Sequence, residues 1–172
     1  MNRLTAMILL VFLVLNLAAC TQGNDLVCPV SYHYLRAPMA DDQIFHGSAD
    51  SVIAPEIREG DGYQNDLAHQ IDIYLHGPLD DNFRSPFPVG TTLKTISVDG
   101  DHASVVLSRH FANHNGMELS LACACLTMTV MELTGAESVT ISVDGFQLDG
   151  KASITMDRSN MILTDSATPE TE

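Results

Sequence analysis

The chain has 172 residues, 45% of them hydrophobic, with 22 acidic side chains against 8 basic ones and a formal charge of −14. That length suits one domain with a real core. The acid excess excludes nucleic acid and bare anionic membrane surfaces as partners, because their phosphates would repel it.

The N-terminus carries the parts of a lipoprotein signal in order. Arg3 supplies the positive charge, Ala6 to Asn16 is almost wholly apolar, and Leu17-Ala18-Ala19-Cys20 closes the run as a lipobox. The run is too short to span a bilayer, which takes about 20 apolar residues, and it ends in a processing site. Residues 1–19 therefore read as a signal peptide. Cys20 reads as the lipidated residue that anchors the chain to the extracytoplasmic side of the cell membrane, two or more acyl chains giving a lasting hold. Thr21 to Leu26 is a polar linker of six residues. Fully extended it reaches only about 20 Å, so the domain is held close to the bilayer.

Residues 27–150 are expected to form the domain. The second half of Val27 to Leu35, with Tyr32 and Tyr34, reads as a strand. Ala37 to Asp50 is a polar loop. Ser51 to Arg58 reads as an edge strand, because Pro55 excludes a central one. Gly60-Asp61-Gly62 breaks the chain. Asn65 to His76 has a helical pattern, with Leu67, Ala68, Ile71, Tyr74 and Leu75 at spacings of three and four. Asn65 or Asp66 can cap its start, and Gly77-Pro78 stops it.

Leu79 to Gly90 is a proline-containing loop. Leu93 to Val98 and Ala103 to Leu107 form a hairpin about Asp99-Gly100-Asp101. Asn113 to Gly116 is another break. Met117 to Leu133 is the strongest helix. Leu119, Ala122, Cys123, Leu126, Val130 and Leu133 line one stripe, and Met128 and Met131 widen it, so burial on more than one side is expected. Gly135 ends it, and Val139, Ile141 and Val143 alternate as a strand. Residues 151–164 form an extension with a weaker strand near Ser153 to Met156, and 165–172 a polar, disordered tail. Thr-Ile-Ser-Val-Asp-Gly occurs twice, at 95–100 and 140–145. The flanks differ, so it reads as two strands with the same turn chemistry rather than a domain repeat. The order of elements predicts a two-layer α+β sandwich: a small, mostly antiparallel sheet with two helices, each laying its stripe on a sheet face.

Sites for chemistry are sparse. With Cys20 lipidated, Cys28, Cys123 and Cys125 remain, so at most one internal disulfide forms. Cys28 can reach either of the others, and Cys123 reads as a buried thiol. His110 and His114 are four apart, a zinc-like spacing on a helix, but Asn113, Asn115 and Gly116 argue for a loop there. Asp99 and Asp101 fit turn chemistry, and Asp80 and Asp81 lie in a loop, short of the ligands a calcium loop needs. No nucleophile elbow, P-loop or dinucleotide fingerprint occurs, so no cofactor and no catalytic residue is assigned. Ser108, at a strand end, reads as a local hydrogen-bonding residue. Phe83 and Phe87 form either an exposed contact patch or a satellite core under their loop.

These features, in sequence, resemble the GerMN domain of bacterial sporulation, germination and envelope lipoproteins. The matching stretches are Tyr32 to Leu35, Leu75-His-Gly-Pro78, Ser85-Pro-Phe-Pro88 with Gly90-Thr91, Ala103-Ser-Val-Val-Leu-Ser108 followed by Phe111, and Val139-Thr-Ile-Ser-Val-Asp-Gly145. The resemblance covers about residues 30–146 and fits one GerMN copy. The chain departs from it at Val106, where the family strand carries Asp. The resemblance implies a small α/β fold like the ring-building modules of envelope assemblies. It implies a non-enzymatic module that docks to extracytoplasmic proteins or the cell wall, with no catalytic residue to carry over. A cation- or wall-ligand-binding protein is the alternative, and a wall hydrolase comes third.

Overall fold

The computed structural model describes residues 29–37, 52–60 and 65–161. The signal segment, Cys20, the linker, Cys28, most of the Ala37–Asp50 loop and the tail lie outside the described residues.

The first sheet has the order β2-β1-β3, built from β1 (Val30–Arg36), β2 (Ile53–Arg58) and β3 (Phe83–Arg84), all antiparallel. β2 is an edge strand, and Pro55, which lacks an N–H, sits opposite His33 within it. Helix α1 (Leu67–Leu75) starts where Asp66 accepts a hydrogen bond from the His69 N–H at 3.0 Å. It ends at His76, with Gly77 beyond it at φ +103°.

The second sheet has the order β4-β5-β6-β7. β4 (Leu93–Asp99) and β5 (His102–Leu107) make the predicted hairpin, and β6 (Ser138–Val143) pairs with β7 (Ser153–Asp157). β5 and β6 run parallel. Such a pair needs a crossover, and α2 (Gly116–Thr134) supplies it before Gly135 closes the helix in the left-handed conformation. The predicted α+β architecture stands, with its strands divided between two sheets rather than gathered in one.

That division explains why α2 is buried almost all round. It packs on β1 of the first sheet and on β5, β6 and β7 of the second, and it touches α1. Cys123 and Cys125 point to different sides, yet both are buried free thiols. Among the described residues α2 is the one helix long and apolar enough to cross a membrane, and its place between the sheets accounts for that composition.

The second sheet separates its faces cleanly. Ile96, Val105, Ile141 and Ile154 align across all four strands on the inner face, while Ser97, Ser104, Thr140 and Thr155 align on the outer one. The two Thr-Ile-Ser-Val-Asp-Gly copies flank β5 in opposite directions, so Ile96 and Ile141 both meet Val105. Each copy ends on a left-handed glycine, Gly100 and Gly145.

Candidate functional site

A groove of about 820 Å³ opens between β2, α1 and the chain leaving α1. Its floor comes from strand alternation. Tyr32, Tyr34, Glu56 and Arg58 share one face of the first sheet, because Tyr32 sits opposite Glu56 and Val30 opposite Arg58. Arg58 lies over the Tyr32 ring, 4.9 Å from its centre, and 5.7 Å from that of Tyr34. Its Nε donates to Glu56 Oε2 at 2.7 Å, and its Nη2 donates to the Gly77 carbonyl at 2.8 Å and to Tyr34 Oη at 3.2 Å. The other carboxylate oxygen, Oε1, accepts the Leu79 and Asp80 N–H groups at 2.8 and 2.7 Å.

This centre is bonded internally: both Glu56 oxygens accept hydrogen bonds, and Arg58 donates through Nε and Nη2. Its effect is to fasten the chain after α1 onto β2. Three tyrosines extend the network. Tyr34 donates to the Tyr74 carbonyl at 2.7 Å, Tyr74 to the His33 carbonyl at 2.6 Å, and Tyr32 to Gln70. Burial pushes the Tyr34 and Tyr74 hydroxyls well above the usual tyrosine range, so they stay protonated donors.

The groove's rim differs from its floor. Ile57 is 70% exposed and Leu79 80% exposed, with Glu59 and Asp80 beside them. The rim is thus apolar and acidic beside β2, an edge strand among the described residues.

Cys20 lies outside the described residues. Phe83 is half-buried in β3 and lines the groove. Phe87 is a core residue, not an exposed contact. It is 8% exposed, meets the Tyr74 ring edge-on at 5.1 Å between centres, and lies 6.2 Å from Phe111.

His110 belongs to a 3-10 turn, Arg109–Asn113, and His114 is the extended residue that ends it. A 3-10 turn places residues three apart, not four, on one side, so the two imidazoles do not share a helical face. His114 Nε2 pairs with the Pro86 carbonyl at 2.9 Å, and its Nδ1 faces Glu118 at 3.3 Å. The His110 ring packs against Gly90. Among the described residues no three His, Cys, Asp or Glu side chains gather as a metal site. Asp80 Oδ1 accepts from the Asn82 backbone N–H at 2.8 Å, which is turn chemistry. Ser108 Oγ accepts the Thr92 N–H at 3.0 Å and donates to the Gly90 carbonyl at 3.3 Å. Burial pushes the Cys123 thiol up to about 12 and Cys125 higher still, so neither is a reactive thiolate.

The Glu56–Arg58 centre went unnoticed in the sequence. Its signal is faint: an acid and a base two apart on a strand, which places them on one face.

The described residues form a small α+β domain whose charged pair is bonded internally. Residues 49–149, more than half of the chain, match the Germane domain family of sporulation and spore germination, and the chain belongs to that family. In structure it is similar to the tandem GerMN domains of the sporulation protein GerM from Bacillus subtilis, at 16% identity and a TM-score of 0.51. That match covers 77% of this chain and 46% of the other. The first GerMN domain of the same protein gives 16% identity and a TM-score of 0.49, over 63% of this chain and 90% of that one. A candidate lipoprotein of Clostridium perfringens gives 18% and 0.48, over 82% and 95%. No curated protein matches the sequence. The GerMN likeness fits the resemblance drawn from the sequence, and the Germane family is not a known enzyme family.

Proposed function

We propose that the chain is a lipid-anchored protein on the extracytoplasmic side of the cell membrane, and that its GerMN domain docks to another envelope protein during sporulation or germination. The lipobox ending at Cys20 supports the anchor, and family membership supports the setting. The observation that carries the docking role is the groove along β2. Its ionic floor is satisfied internally, while Ile57 and Leu79 stand exposed beside Glu59 and Asp80. Such a rim suits an extended protein segment with apolar and basic side chains. It would lie along β2, an edge strand among the described residues, and gain contacts at the rim.

Two experiments test this. A photo-crosslinking residue at position 57 in intact cells is expected to capture one protein, and Leu79→Asp to abolish the capture. If position 57 yields no protein adduct at any growth stage, the docking reading fails. Cys20→Ala is expected to release the protein from the membrane fraction, and retention there would refute the lipid anchor.

A further inference from the structure

The opposite face of the first sheet holds a second opening. His33 points away from the tyrosine face by strand alternation. With Met128, Met131 and Met161 it lines a cavity of about 210 Å³, and Glu132 and Arg158 complete the lining. The placement is rigid. The His33 N–H donates to Thr129 Oγ1 at 2.9 Å, which fastens β1 to the turn of α2 that carries the methionines. Met128 and Met131 are three apart on α2 and so lie on one face. Met161 reaches the cavity from beyond β7, and it, Met131 and His33 are each more than nine-tenths buried. Glu132 and Arg158 are exposed charges of opposite sign.

Two features coincide at this place. The imidazole Nδ1 is buried and has no hydrogen-bond partner. A buried polar atom normally finds one, and leaving it without costs about 1–3 kcal/mol. Beside it the lining is thioether, a soft ligand that needs no deprotonation and can reorient on three rotatable bonds.

We propose that His33, Met128, Met131 and Met161 form a binding site for a monovalent soft cation, Cu(I), held by thioether sulfur and one imidazole nitrogen. Thioethers select Cu(I) over divalent hard ions, and an imidazole with a free nitrogen completes such a set. Burial lowers the basicity of His33, against a smaller opposing effect of Glu132, and so keeps its lone pair free at neutral pH. Among the described residues the competing thiols, Cys123 and Cys125, do not line this cavity and would have to lose a proton in the core. The site is independent of the groove on the other face and of the docking reading.

The test uses Ag(I), a redox-inert stand-in, added to the purified full chain labelled with ¹³C at the methionine methyls. The signals of Met128, Met131 and Met161 are expected to move together and to saturate at one equivalent. A Met128→Leu/Met131→Leu variant, which conserves volume, is expected to bind at least tenfold more weakly while keeping its cooperative thermal unfolding. His33→Gln is expected to weaken binding in the same direction. If that double variant does not fold, the wild-type methyl shifts and His33→Gln decide the matter. Unmoved methyls overturn the proposal, whether silver stays free or goes to cysteine. So does unchanged affinity in the folded leucine variant or in His33→Gln.

Discussion

The first sheet carries two polar centres, one on each face, and they are built on opposite principles. On the α1 face, Glu56 and Arg58 are closed off: each charge meets the other, and the remaining contacts go to backbone groups and tyrosine. On the α2 face, His33 has a buried nitrogen without a hydrogen-bond partner, beside a cavity. The two are only a residue apart on neighbouring strands, Glu56 opposite Tyr32 and Pro55 opposite His33. A buried ion pair adds little net stability but punishes the loss of either member. An unpaired imidazole lowers stability until something occupies it. Saturation therefore marks the structural centre, and incompleteness marks the one with a ligand to find.

The largest effect should come from breaking the closed centre. Glu56→Ala would strand the Arg58 charge in a largely buried setting and take the shared acceptor from the Leu79 and Asp80 N–H groups. We expect a loss of about 3–5 kcal/mol, the cost of removing one partner of a buried pair, read by urea denaturation. A loss below about 1 kcal/mol would place this pair in the class of solvated surface bridges and dissolve the contrast.

Local signals were legible in the sequence and distant ones were not. Asp66 and Gly135 mark real helix ends because capping is decided within a few residues. Alternation located β5 and β6, and Pro55 alone identified an edge strand. β3 has only two residues, too few for any period, so it passed for loop. The split into two sheets depends on how α2 packs, and its all-round apolarity allows several arrangements. Phe87 gave no clue to its burial, since a phenylalanine between prolines fits either a surface or a core. The same holds for both polar centres. Glu56 meets the N–H groups of Leu79 and Asp80 across more than twenty positions, and His33 meets α2 across 96, so only tertiary register brings them together.

A smaller effect is expected within the closed centre from Tyr34→Phe. The lost hydroxyl donates to the Tyr74 carbonyl and accepts from Arg58, yet both partners keep others. The Tyr74 carbonyl still receives the Gly77 N–H at 3.1 Å, and Arg58 still has Glu56 and Gly77. Since no group is orphaned, the cost should be about 1 kcal/mol, well below that of Glu56→Ala. Equal costs in urea denaturation would mean that the tyrosine, not the carboxylate, closes the centre.

The finest probe is proton binding at the open centre. Burial, opposed in part by Glu132, holds the folded pKa of His33 below its usual 6.5. Below 6.5 the unfolded chain takes up a proton at this residue that the folded chain resists. Stability contributed by the neutral imidazole is therefore complete above 6.5 and is lost as pH falls through that value toward the depressed folded one. Glu132 and Arg158 are the other charged groups lining the cavity. His33→Gln should flatten this part of the stability–pH curve without changing its shape elsewhere, measured as urea midpoints from pH 7 downward. Because a bound cation would use the same lone pair, one equivalent of Ag(I) should counter the acid-induced loss in the wild-type protein and leave the Gln variant largely unprotected. An identical acid slope in both proteins would mean that the nitrogen is already satisfied in solution, and the two faces of the sheet would then no longer differ in kind.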